Sequence, residues 1–216
     1  MSDRAFFART SLEVAPELLG CLLTSRSALG EVTLRITEVE AYAGSADPAS
    51  HAYRGRTARN AVMFGPAGHA YIYFIYGMHY AMNVVCAQDG VAEAVLVRAG
   101  EVVDGFTLAR ARRKSSRIDA DLGRGPGRLA SALGLGRGLD GADLCEPGGE
   151  LTLERGEAVD PALIRTGPRT GISQAADLPW RFHIHGDRSV SPYRRAKSAG
   201  PVGAAEPGGR GTPRGA

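Results

Sequence analysis

The chain has 216 residues, of which 44% are hydrophobic and 23% charged, a composition typical of one globular domain with its own core. Its net charge of only +3 fits a protein that contacts a few phosphates better than one that is covered by a polyanion. No run reaches the roughly 18 apolar residues of a membrane span, and the first residues lack the apolar region of a signal peptide, so we expect a soluble, cytoplasmic protein with no membrane partner.

The first third of the chain predicts a helix, a strand and a long loop. Leu12–Leu23 places leucines on one helical face and predicts an amphipathic helix. Val32–Tyr42 alternates apolar and polar residues, which predicts a half-buried strand. Gly44–Ala67 is polar and arginine-rich, and its length and composition favour a functional loop.

The middle of the chain predicts three strands. Ala70–Ile75 and Tyr80–Val85 are strong β-runs on either side of Gly77, which supplies the permissive backbone of a tight hairpin turn. Ala92–Val97 predicts a third strand that ends at Arg98.

The last part of the chain predicts short elements and a tail. Two helices and two strands are expected, at Phe106–Lys114, from Pro126 onward, at Leu151–Glu154 and at Arg181–His185. The segment 198–216 is rich in Gly, Pro and Ala and predicts a disordered tail. We therefore expect one domain over residues 1–197.

The three cysteines are Cys21, Cys86 and Cys145, an odd number far apart in sequence. No Cys-x-x-Cys or Cys/His spacing typical of zinc occurs. We expect no metal site and no cofactor.

Glu40 and Tyr42 lie two residues apart at the end of the second predicted element, so their side chains share one face of a strand. Glu38 lies on the same face. Two exposed acids on a solvated edge would be the ordinary interpretation, but the aromatic neighbour and the strand-end position favour Glu40 as a general base.

His51 lies in a loop with Arg54, Arg56 and Arg59. A lone loop histidine is usually only solvated, but these arginines suit contact with phosphates. Metal binding by His51 is not expected, because no second ligand is near it in sequence.

The hairpin is unusually rich in tyrosine. Such residues commonly only pack a sheet, yet both of its faces are apolar, and Tyr76 and Met78 lie at its tip. A tip of this kind suits a wedge that fills the gap left by a displaced base. Flat rings, a general base and basic surroundings are what an enzyme acting on an unstacked nucleobase would need.

Together these stretches resemble the alkyladenine (3-methyladenine) DNA glycosylase family in its bacterial form. The resemblance covers about Phe6 to Tyr193. Its most specific parts are Thr37-Glu38-Val39-Glu40-Ala41-Tyr42, Ser50-His51-Ala52, Met63-Phe64 to Asn83-Val84, Leu96-Val97-Arg98-Ala99, Gly125-Pro126-Gly127-Arg128-Leu129 and Leu178-Pro179-Trp180-Arg181-Phe182.

The resemblance implies roles for the catalytic and base-binding residues. Glu40 would deprotonate the attacking water, and Arg98 would hold that water or the carboxylate. Tyr42 and Tyr73, with His51, would sandwich the flipped base, and a donor at His51 would contact position six of the purine.

It also implies roles for the residues that contact DNA. Asn83 would exclude the exocyclic amino group of guanine by a steric clash. Tyr76 would intercalate in place of the extruded nucleotide, and Met78 would press on the groove. Arg56 and Arg59 would hold backbone phosphates.

The implied fold is α+β, a single domain with a curved antiparallel β-sheet, surrounding helices and a protruding β-hairpin. The implied function is monofunctional excision of 3-methyladenine, hypoxanthine, ethenoadenine or 7-methylguanine from double-stranded DNA by a monomer, leaving an abasic site in base excision repair. No lysine lies near the motifs, so a lyase step is not expected. Two alternatives are a non-catalytic nucleic-acid-binding module of the same fold and a nucleoside or sugar hydrolase.

Overall fold

The computed structural model describes residues 3–75 and 77–197. Tyr76 and the tail predicted over 198–216 lie outside the described residues. None of the described helices is long and apolar enough to cross a membrane.

The described residues form four α-helices and eight β-strands. The helices are α1 (Arg4–Phe7), α2 (Ser11–Glu17), α3 (Phe106–Arg112) and α4 (Pro126–Leu133). The strands are β1 (Leu22–Ser27), β2 (Gly30–Tyr42), β3 (Ala70–Ile75), β4 (His79–Cys86), β5 (Glu93–Asp104), β6 (Leu151–Glu154), β7 (Ile164–Gly167) and β8 (Arg181–Ile184).

These strands make a single sheet in which every pairing is antiparallel. The main order is β3-β4-β5-β2-β1-β6, and β8 pairs with both β2 and β7. Helices α2, α3 and α4 all contact β2, so the main hydrophobic core lies between the helices and the sheet. The arrangement confirms the α+β class with an antiparallel sheet.

Strand β2 positions the site. Its register with β5 shifts between Thr33 and Leu34 and again on both sides of Glu38, and such irregularities re-aim side chains locally. The prediction that this strand is half-buried was wrong, because Thr37, Glu38 and Glu40 are buried like their apolar neighbours. The second face is covered by a distant part of the chain, as the 2.8 Å hydrogen bond between the Thr37 and Ser189 hydroxyls illustrates.

Helix α2 is shorter than the helix predicted over Leu12–Leu23. Thr10 and Glu13 form a capping box that starts α2, but the helix ends at Glu17 and the chain turns at Gly20, which has a φ of +85°. A Cβ at Gly20 would lie 2.5 Å from the Glu157 carbonyl oxygen, so the turn requires glycine. Leu22 and Leu23 begin β1, a strand that was not predicted.

Strands β3, β4 and β5 carry the other site residues. β3 and β4 pair from Ala70 opposite Val84 to Ile75 opposite His79, close to the expected bounds. β5 extends to Asp104, so Arg98 lies within this strand. The prediction that the strand ends at Arg98 was wrong.

Candidate active site

The Glu40 carboxylate is fully buried and is held by three groups. Its Oε1 atom accepts a hydrogen bond of 2.6 Å from the Thr170 backbone N–H and lies 3.4 Å from Arg98 Nη1. Its Oε2 atom accepts a hydrogen bond of 2.9 Å from the Tyr42 hydroxyl. Glu40 is thus a fixed carboxylate, and the interpretation of Glu38 and Glu40 as exposed acids was wrong.

Glu38 holds Arg98 in place. It accepts hydrogen bonds from Arg98 Nε at 3.0 Å, from Arg181 Nε at 2.6 Å and from the Ser191 backbone N–H at 2.7 Å. Burial acts to raise the pKa of Glu38, but the charges of Arg98 and Arg181 outweigh it, and the pKa is lowered. Glu38 therefore stays ionised.

Two carboxylates and two guanidinium groups make this buried cluster electrically balanced. Burial acts to lower the pKa of Arg98, but Glu40 and Glu38 outweigh that effect and the pKa is raised. Charges away from water require such partners, because an unpaired buried ion is strongly destabilising. The cluster comprises Glu38, Glu40, Arg98 and Arg181.

A cavity of about 390 Å³ lies in front of this cluster. Its volume falls within the range of small-molecule sites, roughly 300–1,000 Å³. Tyr42, Arg98 and Thr170 line it, and each also contacts the Glu40 carboxylate. These three residues therefore connect the buried acid to the space where a ligand would lie.

The aromatic wall of the cavity comes from β3 and the loop before it. The Tyr71 and Tyr73 rings are stacked, with centroids 5.1 Å apart, and the His51 ring meets Tyr73 edge-on at 4.6 Å. His51 Nδ1 is 3.1 Å from the Tyr71 hydroxyl. Burial, followed by the charge of Arg59, lowers the pKa of His51, so this ring is neutral near pH 7.

Two tyrosines that line the cavity, Tyr73 and Tyr42, are both held as neutral phenols. Burial, followed by neighbouring Tyr71 and Glu40, raises the pKa of Tyr73 to about 12. Burial and the nearby Glu40 charge also raise the pKa of Tyr42 well above its ordinary value. Both rings thus remain uncharged stacking surfaces.

Asn83 lies in the floor of the same cavity. It is buried on β4, opposite Tyr71 and beside Leu96 of β5. All the residues predicted to bind the base therefore line one cavity, namely Tyr42, His51, Tyr73 and Asn83.

The described residues that were predicted to contact DNA are exposed and do not line the cavity. Arg56 is exposed in the loop, and Met78 is 69% exposed just before β4. Arg59 is also exposed, but its guanidinium carbon lies 5.8 Å from the centroid of the Tyr73 ring. Arg59 therefore belongs to the rim of the cavity as well as to the basic loop.

A second cavity of about 480 Å³ adjoins the first, and Arg98, Thr170 and Arg194 line both. Arg124 and Arg128 also line it, with Asp121 as the acid beside them. No role was predicted for these arginines from the sequence. This basic groove is defined by Arg124, Arg128 and Arg194.

The segment that supplies Thr170 was also missed. Arg169 forms a fully buried ion pair with Asp47, at 2.5 Å and 2.9 Å, and donates to the Ala41 carbonyl oxygen at 3.0 Å. The partners are 122 residues apart, so no local spacing reveals them.

Among the described residues, no group of three or more His, Cys, Asp or Glu side chains is arranged to hold a metal ion. The chemistry available to the cavity from these residues is that of a fixed carboxylate, a guanidinium group and stacked aromatic rings.

Comparison with known proteins gives a consistent result. The model of the methylpurine-DNA glycosylase family matches residues 5–188. Proteins named "Putative 3-methyladenine DNA glycosylase" are similar over most of their length. The one from Streptomyces avermitilis is 58% identical, with 88% of this chain and 91% of the relative covered. The one from Nocardia farcinica is 51% identical (86% and 88%), and the one from Leifsonia xyli is 52% identical (89% and 92%).

Proposed function

The chain belongs to the methylpurine-DNA glycosylase family and is a DNA glycosylase, and we propose that it excises alkylated and deaminated purines from double-stranded DNA. The substrate class comprises 3-methyladenine, 7-methylguanine, hypoxanthine and ethenoadenine. The observation that carries the proposal is the buried Glu40 carboxylate, held by residues that line an aromatic cavity of about 390 Å³. The damaged nucleotide is flipped out of the duplex and its base enters this cavity.

Glu40 acts as the general base. Its Oε2 atom accepts one hydrogen bond, from Tyr42, and a carboxylate oxygen has a further lone pair that can take a proton from water. Arg98 is held by Glu38 at its Nε atom and reaches Glu40 with Nη1. Arg98 therefore balances the charge of the Glu40 carboxylate and orients it while water attacks the anomeric carbon. The same negative charge stabilises the oxocarbenium-like sugar of the transition state.

The aromatic wall binds the base. Stacking on a ring contributes about 1–3 kcal/mol per base and can offset the cost of extruding it from the duplex. The base lies between Tyr42 on one side and Tyr73 with His51 on the other. Asn83 in the floor rejects the exocyclic amino group of undamaged guanine by steric clash.

The basic groove and the loop arginines contact the DNA backbone. Arg124 and Arg128 line the groove that adjoins the base cavity, and Arg194 lies at the junction between the two. Arginine binds phosphate in bidentate geometry. A backbone that runs along the groove and past Arg56 and Arg59 would present the flipped nucleotide at the cavity.

The products are a free base and an abasic site with an intact backbone. Lys114 and Lys197 are the only lysines in the sequence, and neither lines the cavity. Among the described residues that line the cavity, none carries an amine able to form a Schiff base with the sugar, and the proposed reaction is hydrolysis without a lyase step.

Single-turnover release of each base from duplexes with one lesion tests this proposal. We expect release by the wild type and a loss of about 100-fold to 10,000-fold in Glu40→Gln, in the range attributed to general base catalysis. Lesion binding should persist, because the substitution preserves shape. Glu154→Gln is the matched control, since Glu154 is exposed at the end of β6. Lesion binding without release by the wild type would instead support a non-catalytic binding module.

A further inference from the structure

A buried cation lies behind the stacking surface of the base cavity. The Arg169 guanidinium carbon is 4.6 Å from the centroid of the Tyr42 ring and 5.0 Å from that of Trp180. Its side chain has no exposed surface, and it is not among the residues that line the cavity, whereas Tyr42 is. The Tyr42 ring therefore separates the guanidinium group from the space where the base would lie.

Asp47 neutralises this cation. Its two carboxylate oxygens accept from the two Nη atoms of Arg169 at 2.5 Å and 2.9 Å, and neither side chain is exposed. Backbone N–H groups of Ala43 and Ala49 donate to the same carboxylate. The charge of Arg169 is thus balanced in place, in a region where water cannot screen it.

The balance matters because the proposed substrates differ in charge. Purines alkylated at a ring nitrogen, such as 7-methylguanine, are cationic, whereas hypoxanthine is neutral. An aromatic face attracts a cation. An uncompensated guanidinium group on the opposite face of Tyr42 would oppose that attraction for a cationic base and would hardly affect a neutral one.

We propose that Asp47 and Arg169 are specificity-determining residues that set the rate of excision of cationic bases relative to neutral ones. The inference rests on the proposed function, and it assigns the ion pair a role that is distinct from catalysis by Glu40. Breaking the pair from either side should move the relative rate in opposite directions, because the two variants leave charges of opposite sign behind Tyr42.

The experiment compares single-turnover release of 7-methylguanine and hypoxanthine by the wild type and three variants. Asp47→Asn leaves the cation and should lower the ratio of cationic to neutral excision by about 10-fold, the order expected for a unit charge within 10 Å in a partly buried site. Arg169→Gln leaves the anion and should raise the ratio by a similar factor. The double variant removes both charges and should restore the ratio, even if both rates fall.

Opposite changes in the ratio of cationic to neutral excision distinguish an effect of charge from structural damage. Damage would lower both rates and would not move the ratio in opposite directions in Asp47→Asn and Arg169→Gln. Asp119→Asn, which breaks the exposed pair with Arg110, is the matched control and should leave the ratio unchanged. If Asp47→Asn does not fold, Arg169→Gln and the double variant still differ by one charge and must differ in ratio. If the wild type excises only cationic lesions, their rate of excision must be lower in Asp47→Asn, and higher in Arg169→Gln, than in the double variant.

Equal ratios in all folded variants would overturn the inference while leaving the proposed function intact. Failure of the wild type to release any of the four proposed lesions would instead overturn the proposed function, and this inference with it.

Discussion

The Tyr42 hydroxyl donates a 2.9 Å hydrogen bond to the carboxylate of Glu40, two residues earlier on the same strand. The ring of Tyr42 lines the cavity, whereas Glu40 is fully buried. One residue therefore joins the surface on which a base would stack to the proposed general base. The pairing of these two types of residue at i and i+2 is what made this strand informative in the sequence.

Tyr42→Phe separates the two roles. It keeps the stacking ring and removes a hydrogen bond to a charged acceptor, which is worth about 1.5–3 kcal/mol. We expect single-turnover excision to fall by about 10-fold to 100-fold, with lesion binding within twofold of the wild type. Tyr53→Phe, in the exposed part of the loop, is the control. A parallel fall in binding and excision would show that the hydroxyl does not act on Glu40.

Arg98→Lys tests whether activity and stability require one guanidinium group that contacts both Glu38 and Glu40. Arg98 reaches Glu38 with Nε and Glu40 with Nη1, a geometry that a single ammonium group cannot reproduce. We expect excision to fall by about 100-fold and the free energy of unfolding to fall by about 3 kcal/mol, since one buried carboxylate loses its partner. Arg35→Lys is the control, because Arg35 also bridges two acids, Glu101 and Asp187, but does not line the cavity. Wild-type activity in Arg98→Lys would contradict the proposed role.

The lowered pKa of Glu38 predicts a pH dependence of stability. A carboxyl whose pKa is lower in the folded state than in the unfolded state contributes stability above its unfolded pKa of about 4.3, and this contribution is lost as the pH falls through the folded value. Glu38→Gln should therefore be less stable at pH 7, and its free energy of unfolding should change less between pH 5 and lower pH. Urea denaturation over this range measures both effects. Glu101→Gln, at the half-exposed partner of Arg35, should keep the slope of the wild type. If the free energy of unfolding of Glu38→Gln changes with pH as steeply as that of the wild type, Glu38 is not the source of the pH dependence.

The sequence predicted the elements whose side-chain pattern is local. Strands β3, β4 and β6 were found at or near their predicted bounds because each is a compact β-run. β1 was missed because Thr24-Ser25-Arg26-Ser27 has no apolar alternation. The strand pairs along its length with β2, and its first four residues also pair with β6. Its place in the sheet is determined by those partners and not by its own pattern.

Which residues line the candidate cavity or contact its lining was predictable where neighbours in sequence are neighbours in space, and where the family resemblance supplied the rest; their roles stay predictions. Glu40 with Tyr42 is the first case, and Arg98 and Asn83 are the second. The burial of Glu40 could not be predicted, because it depends on Thr170, 130 residues later. The Asp47–Arg169 pair could not be predicted for the same reason, because the two residues are 122 positions apart and their loops meet only in the folded chain.

Asn83→Ser should relax discrimination against undamaged guanine. Asn83 is buried in the floor of the cavity, and a smaller side chain leaves room for the exocyclic amino group. We expect release of guanine from undamaged duplex DNA to rise by about 10-fold, as when a clash of 1–3 kcal/mol is removed. The double variant with Glu40→Gln should show no release, which excludes a contaminating activity. Unchanged guanine release by Asn83→Ser would show that rejection occurs elsewhere.

Tyr76→Ser tests the wedge predicted from the sequence between β3 and β4. A side chain that fills the gap left by an extruded base matters most where extrusion costs most, and a mispaired base is cheaper to extrude than a well-paired one. We expect excision of hypoxanthine to fall about 10-fold more in a stable pair than in a mismatch, for a difference of a few kcal/mol in extrusion. Single-turnover rates on two duplexes that differ only in the opposing base measure this. Met78→Ser, two residues along the chain, is the comparison, since Met78 is 69% exposed and is expected to press on the groove without replacing the base. Equal losses on both duplexes in Tyr76→Ser would rule out the wedge and leave Tyr76 as a general DNA contact.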